Sequence, residues 1–167
     1  NQLDNQLIDP DIDIDNDNVA KINLKELETN DSKYNHFIKS IRRQLQNNSK
    51  DKIIVFSYFR DTIAYLKRRL SDEENIKSLV IIGGITNDEV DDVMDKFEDP
   101  EGPNILLTSD KGSEGIDLQF SHILFNYDLP WNPMKVEQRI GRIDRLGQKA
   151  EKLSIINFFY KDTIDER

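Results

Sequence analysis

Short, continuously apolar runs alternate with amphipathic stretches along most of this chain, and that alternation restricts its fold more than any single motif. Lys52–Ser57, Ser78–Ile82, Ile105–Thr108, Ile123–Asn126 and Leu153–Phe159 read as strands. Their apolar character is largely continuous rather than alternating, as expected of strands buried on both faces. Between them apolar residues recur at helical spacing: Tyr34, Phe37, Ile38, Ile41 and Leu45, then Ile63, Leu66 and Leu70, then Val90, Val93, Met94 and Phe97. Ser32 is a candidate N-cap for the first helix. Gly83-Gly84 ends one strand, Thr86-Asn87-Asp88-Glu89 opens the next helix as a capping box, and Asp99-Pro100-Glu101-Gly102-Pro103 breaks it. Repeated units of this kind predict a three-layer α/β domain with a mostly parallel central sheet and helices on both faces. In such sheets chemistry gathers on loops after the carboxyl ends of strands, so the segments following Ser57, Ile82, Thr108 and Asn126 should share one edge.

Composition narrows the partners. Residues 1–31 hold nine acids against Lys21 and Lys25, so most of the formal net charge of −9 resides there and the remainder can still carry a local basic groove. That polar, aromatic-free segment reads as an acidic linker, with the domain proper at 32–167. Its alternating Asp9, Asp11, Asp13, Asp15 and Asp17 resemble a calcium loop, but the sixth place is Ile14 rather than glycine and the twelfth is Ala20 rather than glutamate. No metal site is expected. The absence of cysteine excludes disulfides, thiolate zinc sites and cysteine nucleophiles, and His36 and His122 stand isolated. No apolar run approaches the ~20 residues a membrane helix needs. The expected setting is the bacterial cytoplasm or nucleoid.

After Pro130 and Pro133 comes Gln138-Arg139-Ile140-Gly141-Arg142-Ile143-Asp144-Arg145. At 3.6 residues per turn Gln138, Arg142 and Arg145 share one helical face, and Val136, Ile140 and Ile143 share the opposite one. Gly141 lies on the polar face, where it costs about 1 kcal/mol against alanine. Two guanidinium forks beside a position without a side chain suit a phosphate. The plainer alternative is a solvated face whose arginines pair with Glu137, Asp144 or Glu151.

Upstream stretches weigh against the plainer alternative. Ile105-Leu-Leu-Thr-Ser-Asp-Lys-Gly-Ser-Glu-Gly-Ile-Asp117-Leu118, then Asp128-Leu-Pro-Trp-Asn-Pro133, then the arginine run with Leu146-Gly147-Gln148, resemble the second RecA-like lobe of superfamily 2 helicases. Trp131-Asn132-Pro133 and the trailing Gly147-Gln148 are similar to the Swi/Snf-type branch, and the Gly-Arg-Ile-Asp-Arg core to its bacterial RapA-like members. The resemblance spans about Ser32 to Arg167. It implies a RecA-like (P-loop NTPase-like) fold and an ATP-dependent helicase or DNA translocase. Arg142 and Arg145 would be arginine fingers for ATP, with Gln138 beside them. Gly115 and Asp117 would approach the nucleotide, and Ser57, Gly83, Gly84 and Ser109 would touch the nucleic-acid backbone without reading sequence. Many Swi/Snf-type relatives carry an acid where Gly141 stands and asparagine where Asp117 stands, and many helicases a basic residue at Glu114.

The sequence has no G-x-x-x-x-G-K-[ST] loop to cradle phosphates. ATP and magnesium are therefore expected to be held mainly by an N-terminal RecA-like lobe of the same polypeptide, and the isolated chain is expected to be inactive. Asp162–Arg167 reads as a helix interrupted at its first turn. Further expected partners are nucleic acid, with duplex DNA favoured, and RNA polymerase or another DNA-bound complex. The alternative is a degenerate, non-catalytic RecA-like module that docks a protein partner, and a small-nucleotide enzyme is disfavoured by the lack of G-x-G-x-x-G after the first strand. Each motif alone has a plainer reading: Gly83-Gly84 as a turn, Lys111–Gly115 as an ordinary loop, Asp117 as a turn acid, Trp131 as a cap on the core.

Overall fold

The computed structural model describes residues 28–159; the acidic linker and the interrupted C-terminal helix fall outside them. In chain order the elements are α1 (Ser32–Asn47), β1 (Ile53–Phe56), α2 (Arg60–Asp72), β2 (Ser78–Ile81), α3 (Asn87–Glu98), β3 (Ile105–Thr108), β4 (Ile123–Asn126), α4 (Pro133–Ile143) and β5 (Ser154–Asn157). The five strands form one sheet in the order β2-β3-β1-β4-β5, and every neighbouring pair is parallel. Most strands are trimmed by a residue or so at their ends relative to the sequence reading. Ser32 is the first residue of α1 rather than its cap.

Alternation along the strands divides the core. Ile53, Val55, Ile105, Leu107, Ile123 and Phe125 pack with Tyr34, Phe37, Ile38 and Ile41 of α1 and Ile63, Leu66 and Leu70 of α2. Ile54, Phe56, Leu106 and Leu124 face the other way, onto Met94 and Phe97 of α3 and Ile143 of α4. The result is the predicted three-layer sandwich, with α1 and α2 on one face and α3 and α4 on the other. Thr86 caps α3 as expected: its hydroxyl accepts from the Glu89 backbone N–H at 3.3 Å and the Glu89 carboxylate accepts from the Thr86 N–H at 2.8 Å. The bond to backbone holds the Glu89 carboxyl below its usual range. At the far end of that helix the Lys52 ammonium donates to the carbonyls of Asp99, Gly102 and Pro103 and closes the break.

The ladder continues past the strands on their carboxyl side. Ser57 N–H donates to the Thr108 carbonyl at 3.0 Å, Tyr127 N–H to Phe56 at 2.9 Å and Phe158 N–H to Asn126 at 2.9 Å. The loops after β1, β3, β4 and β5 therefore leave the sheet from one rim.

Candidate functional site

Helix α4 begins at that rim. Asn132 caps it, its side chain accepting from Met134 N–H, and Pro133 occupies the first helical position, where a missing N–H costs nothing. One turn and a half further on, Arg139 enters the domain and is only 2 % exposed. Its guanidinium makes a two-pronged contact with Asp110, at 2.6 and 3.0 Å, and donates to Asn126 Oδ1 at 2.8 Å and to the Asp128 carbonyl at 2.9 Å. The Phe56 ring lies 5.1 Å from its charged centre. Sequence reasoning missed this residue by grouping the helix into an apolar and a polar face. Two signals could have found it: Arg139 stands three residues after Val136 and four before Ile143, inside the apolar stripe, and Asp110 follows β3 closely enough to meet it.

The two arginines singled out from sequence lie elsewhere on the helix. Arg142 is half-buried, and among the described residues its side chain has no hydrogen bond or ion pair. Its backbone carbonyl accepts from Leu118 N–H at 3.1 Å, which ties the end of α4 to the segment returning from β3 to β4. Because α4 stops at Ile143, Arg145 is not on a shared helical face with Gln138 and Arg142; it sits in the following turn. There its Nε donates to the Gly141 carbonyl at 3.1 Å and its Nη1 lies 3.9 Å from Asp117 Oδ1, with both side chains well exposed. Among the described residues no ion pair joins it to Glu137, Asp144 or Glu151.

The expectation that both fingers protrude from the loop-bearing rim is also corrected. The rim holds Arg139, while Arg142 and Arg145 lie farther along α4 beside residues 115–118. Gln148 closes that region by donating to the carbonyls of Ser121, just before β4, and Ile143. The physical reason is direction: α4 leaves the carboxyl rim and runs back along the sheet. The arginine pair thus opens on the flank of the domain.

Gly115 and Asp117 meet the pair there. Gly115 is exposed, has φ +79°, and a Cβ placed on it would find nothing within 4 Å. It and Asp117 line a cavity of about 390 Å³ with Gly112, Glu114, Ile116 and residues of α3. Gly141 likewise faces open space and Gln138 is exposed, so nothing within the described domain requires the missing side chain at 141. A nucleotide reaching this flank would find a backbone it can approach and an uncommitted guanidinium. Among the described residues no cluster of metal-ligating side chains accompanies it.

The residues expected to touch nucleic acid divide. Ser57 is fully buried and its hydroxyl donates to Asp128, whose other oxygen lies 3.3 Å from the Lys33 ammonium. Its side chain is a structural link between β1 and β4 and does not reach the surface. Ser109 is nearly buried, its hydroxyl accepting from Gly112 N–H at 3.1 Å and shaping the loop. Gly83 is buried, with its carbonyl accepting from Arg60, and Gly84 is exposed at φ +98°. Only Gly84 of the four presents itself to solvent. Trp131 does not cap the core: it is 81 % exposed, and with Tyr58, Phe59 and Lys135 it lines an open rim cavity of about 410 Å³.

An all-parallel sheet in this strand order, with a buried arginine in the last helix and an open arginine beside a glycine-aspartate loop, defines a RecA-like helicase lobe. The sequence matches the helicase conserved C-terminal domain family over residues 32–147, and the chain belongs to that family. It is 42 % identical over 116 residues to the uncharacterized ATP-dependent helicase YqhH of Bacillus subtilis (strain 168), a match covering 70 % of this chain and 20 % of the relative. It is 35 % identical over 134 residues to the RNA polymerase-associated protein RapA of Vibrio campbellii (strain ATCC BAA-1116), covering 80 % of this chain and 13 % of that protein. The chain therefore spans a fifth or less of these relatives, both of the Swi/Snf-type branch. The C-terminal part of the Fun30 ATPase domain superposes with a TM-score of 0.67 at 28 % identity, covering 77 % of this chain and 42 % of that one. The Pyrococcus furiosus Hef helicase domain gives 0.64 at 29 %, covering 80 % and 27 %.

Proposed function

We propose that this chain is the C-terminal lobe of an ATP-dependent helicase or duplex-DNA translocase, supplying Arg142 and Arg145 to ATP held mainly by an N-terminal lobe. The observation that carries this reading is Arg142 itself: a half-buried guanidinium with no internal partner among the described residues, one residue from a helical glycine that faces open space. An arginine left uncommitted on a rigid helix is suited to charge that develops elsewhere. Gly115 offers the nucleotide close backbone approach, Asp117 a carboxylate for the ribose, and Gln138 an exposed amide beside the fingers. Magnesium belongs with the phosphates in the other lobe. The exposed rim, with Gly84 and the aromatic cavity around Trp131, is the surface offered to nucleic acid, while Ser57 and Ser109 hold its loops in shape. The RapA relatives' description as RNA polymerase-associated makes that enzyme the first partner to test.

Fingers of this type supply roughly 10³ to 10⁵ in rate. In the full-length parent, Arg142→Ala should lower kcat by orders of magnitude while ATP binding changes little. An unchanged kcat removes the finger role. The 167-residue chain alone should show no ATP turnover, and robust hydrolysis by it would contradict the division of labour between lobes.

A further inference from the structure

We infer that Arg139 is a positioning residue that makes the loop 109–117 and helix α4 move as one piece, so that nucleic acid on the rim sets the aim of Arg142. This rests on the function proposed above and deepens it.

Arg139 is among the largest fully buried side chains, and all its polar partners lie outside α4: Asp110 in the loop after β3, Asn126 at the end of β4, and the Asp128 carbonyl beyond it. A two-pronged fork fixes angle as well as distance, which a single ammonium cannot do. The same loop is fixed at two further points. A Cβ on Gly112 would stand 2.5 Å from the Ile81 carbonyl, so the loop is pressed against the end of β2. Leu118 N–H holds the Arg142 carbonyl at the other end of the loop. Asp110 directly follows Ser109 at the rim, and Arg139 stands one turn before Arg142 on α4. A shift of the rim loop is thereby passed to the finger through the Asp110–Arg139 contact and the Leu118–Arg142 tether.

Burial alone would not call for this arrangement. A buried ion pair is often matched or bettered in stability by apolar residues of similar volume. What the pair provides, and an apolar contact does not, is a fixed angle between helix and loop.

The test uses the full-length parent and measures ATP turnover with and without duplex DNA in Arg139→Lys, Asp110→Asn, the double variant and Arg142→Ala. Arg139→Lys should reduce the ratio of DNA-stimulated to unstimulated turnover by about tenfold, with the KM for ATP within about twofold, because charge is kept and the fork is lost. Asp110→Asn should do the same, and the double variant should be no worse than either single change, as expected of two residues acting through one contact. Should Arg139→Lys fail to fold, judged by thermal melting, Asp110→Asn decides, since it leaves Arg139 its bonds to Asn126 and Asp128. Equal loss of stimulated and unstimulated turnover, additive effects, an unchanged ratio, or a parent indifferent to DNA each overturn the inference. Arg142→Ala reports separately on the finger: if it leaves turnover intact, the proposed function fails whatever Arg139 does.

Discussion

Replacing Arg139 by methionine tests how far the rim depends on one side chain. Methionine keeps an unbranched stem against Phe56, so little cavity opens, and the change is confined to the four hydrogen bonds of the guanidinium. Asp110 retains a side chain 25 % exposed and can take up water in exchange. Asn126 cannot. It is fully buried, its amide N–H is already given to Asn157 Oδ1 at 2.8 Å, and its Oδ1 would be stranded. A stranded buried acceptor costs about 1 to 3 kcal/mol, and a carboxylate deprived of its partner adds to that. The expected loss is therefore about 2 to 4 kcal/mol, a large part of the ~5 to 15 kcal/mol that holds a domain of this kind folded. With a urea slope of about 1 to 3 kcal/mol per molar, the unfolding midpoint should fall by about 1 to 2 M with the slope unchanged. Equilibrium urea unfolding followed by far-UV circular dichroism measures it. A midpoint that stays put, or rises, would mean that desolvation of the pair outweighs its bonds and that the rim is held by its apolar layer.

Thr86→Ala removes the hydroxyl half of the capping box on α3 and should cost about 1 kcal/mol, read as a fall of about 3 to 5 °C in Tm by calorimetry. Gly141→Ala meets no atom within 4 Å and should raise stability by about 1 kcal/mol while lowering ATP turnover in the parent; stability without that loss would mean that nothing approaches the helix there. Glu73, hydrogen-bonded by Arg69, and Glu89, by Thr86, both have carboxyls held below their ordinary range. Their folded-state values lie below the unfolded ones, so their stabilisation is complete above pH of about 4.5 and is lost as pH falls through the depressed values. Glu89→Gln should flatten that acid limb, and an unaltered limb in acid titrations of the Tm would contradict the assignment.

The layers of this fold were legible because each strand is apolar on both faces and each helix on one, a pattern that survives without knowledge of neighbours. The ladder order was not: nothing local says that β1 lies between β3 and β4. The site was legible to the same extent and for the same reason. Gly115, Asp117 and Arg142 could be named from spacing, and they do lie along one flank of the domain. The helix end could not be read, because Asp144 and Arg145 continue the polar period that Ile143 closes in space. Ser57 misled because a serine after a strand looks like a surface hydroxyl; whether it is exposed depends on Asp128, 71 residues away, reaching back to accept from it. Arg139 was hidden because its partners Asp110 and Asn126 come from two other segments.

Arg142 and Arg145 are held by different means, and that difference separates their roles. Arg142 is fixed by α4, with its carbonyl tied to Leu118. Arg145 stands past the helix, in a turn that passes through Gly147 at φ +112° and is closed by Gln148. Its contact with Asp117 is 3.9 Å long, and the two side chains are 39 % and 47 % exposed, so it contributes about 0 to 1 kcal/mol and is readily exchanged for a phosphate. Asp117 thus serves as a parking place for Arg145. Asp117→Asn in the parent should leave the fold and the Arg142 dependence intact while altering the contribution of Arg145, so that Arg145→Ala costs a different factor in kcat when combined with Asp117→Asn than it does alone. Identical factors in the two backgrounds would show that Asp117 and Arg145 act independently, and that their proximity has no part in ATP turnover.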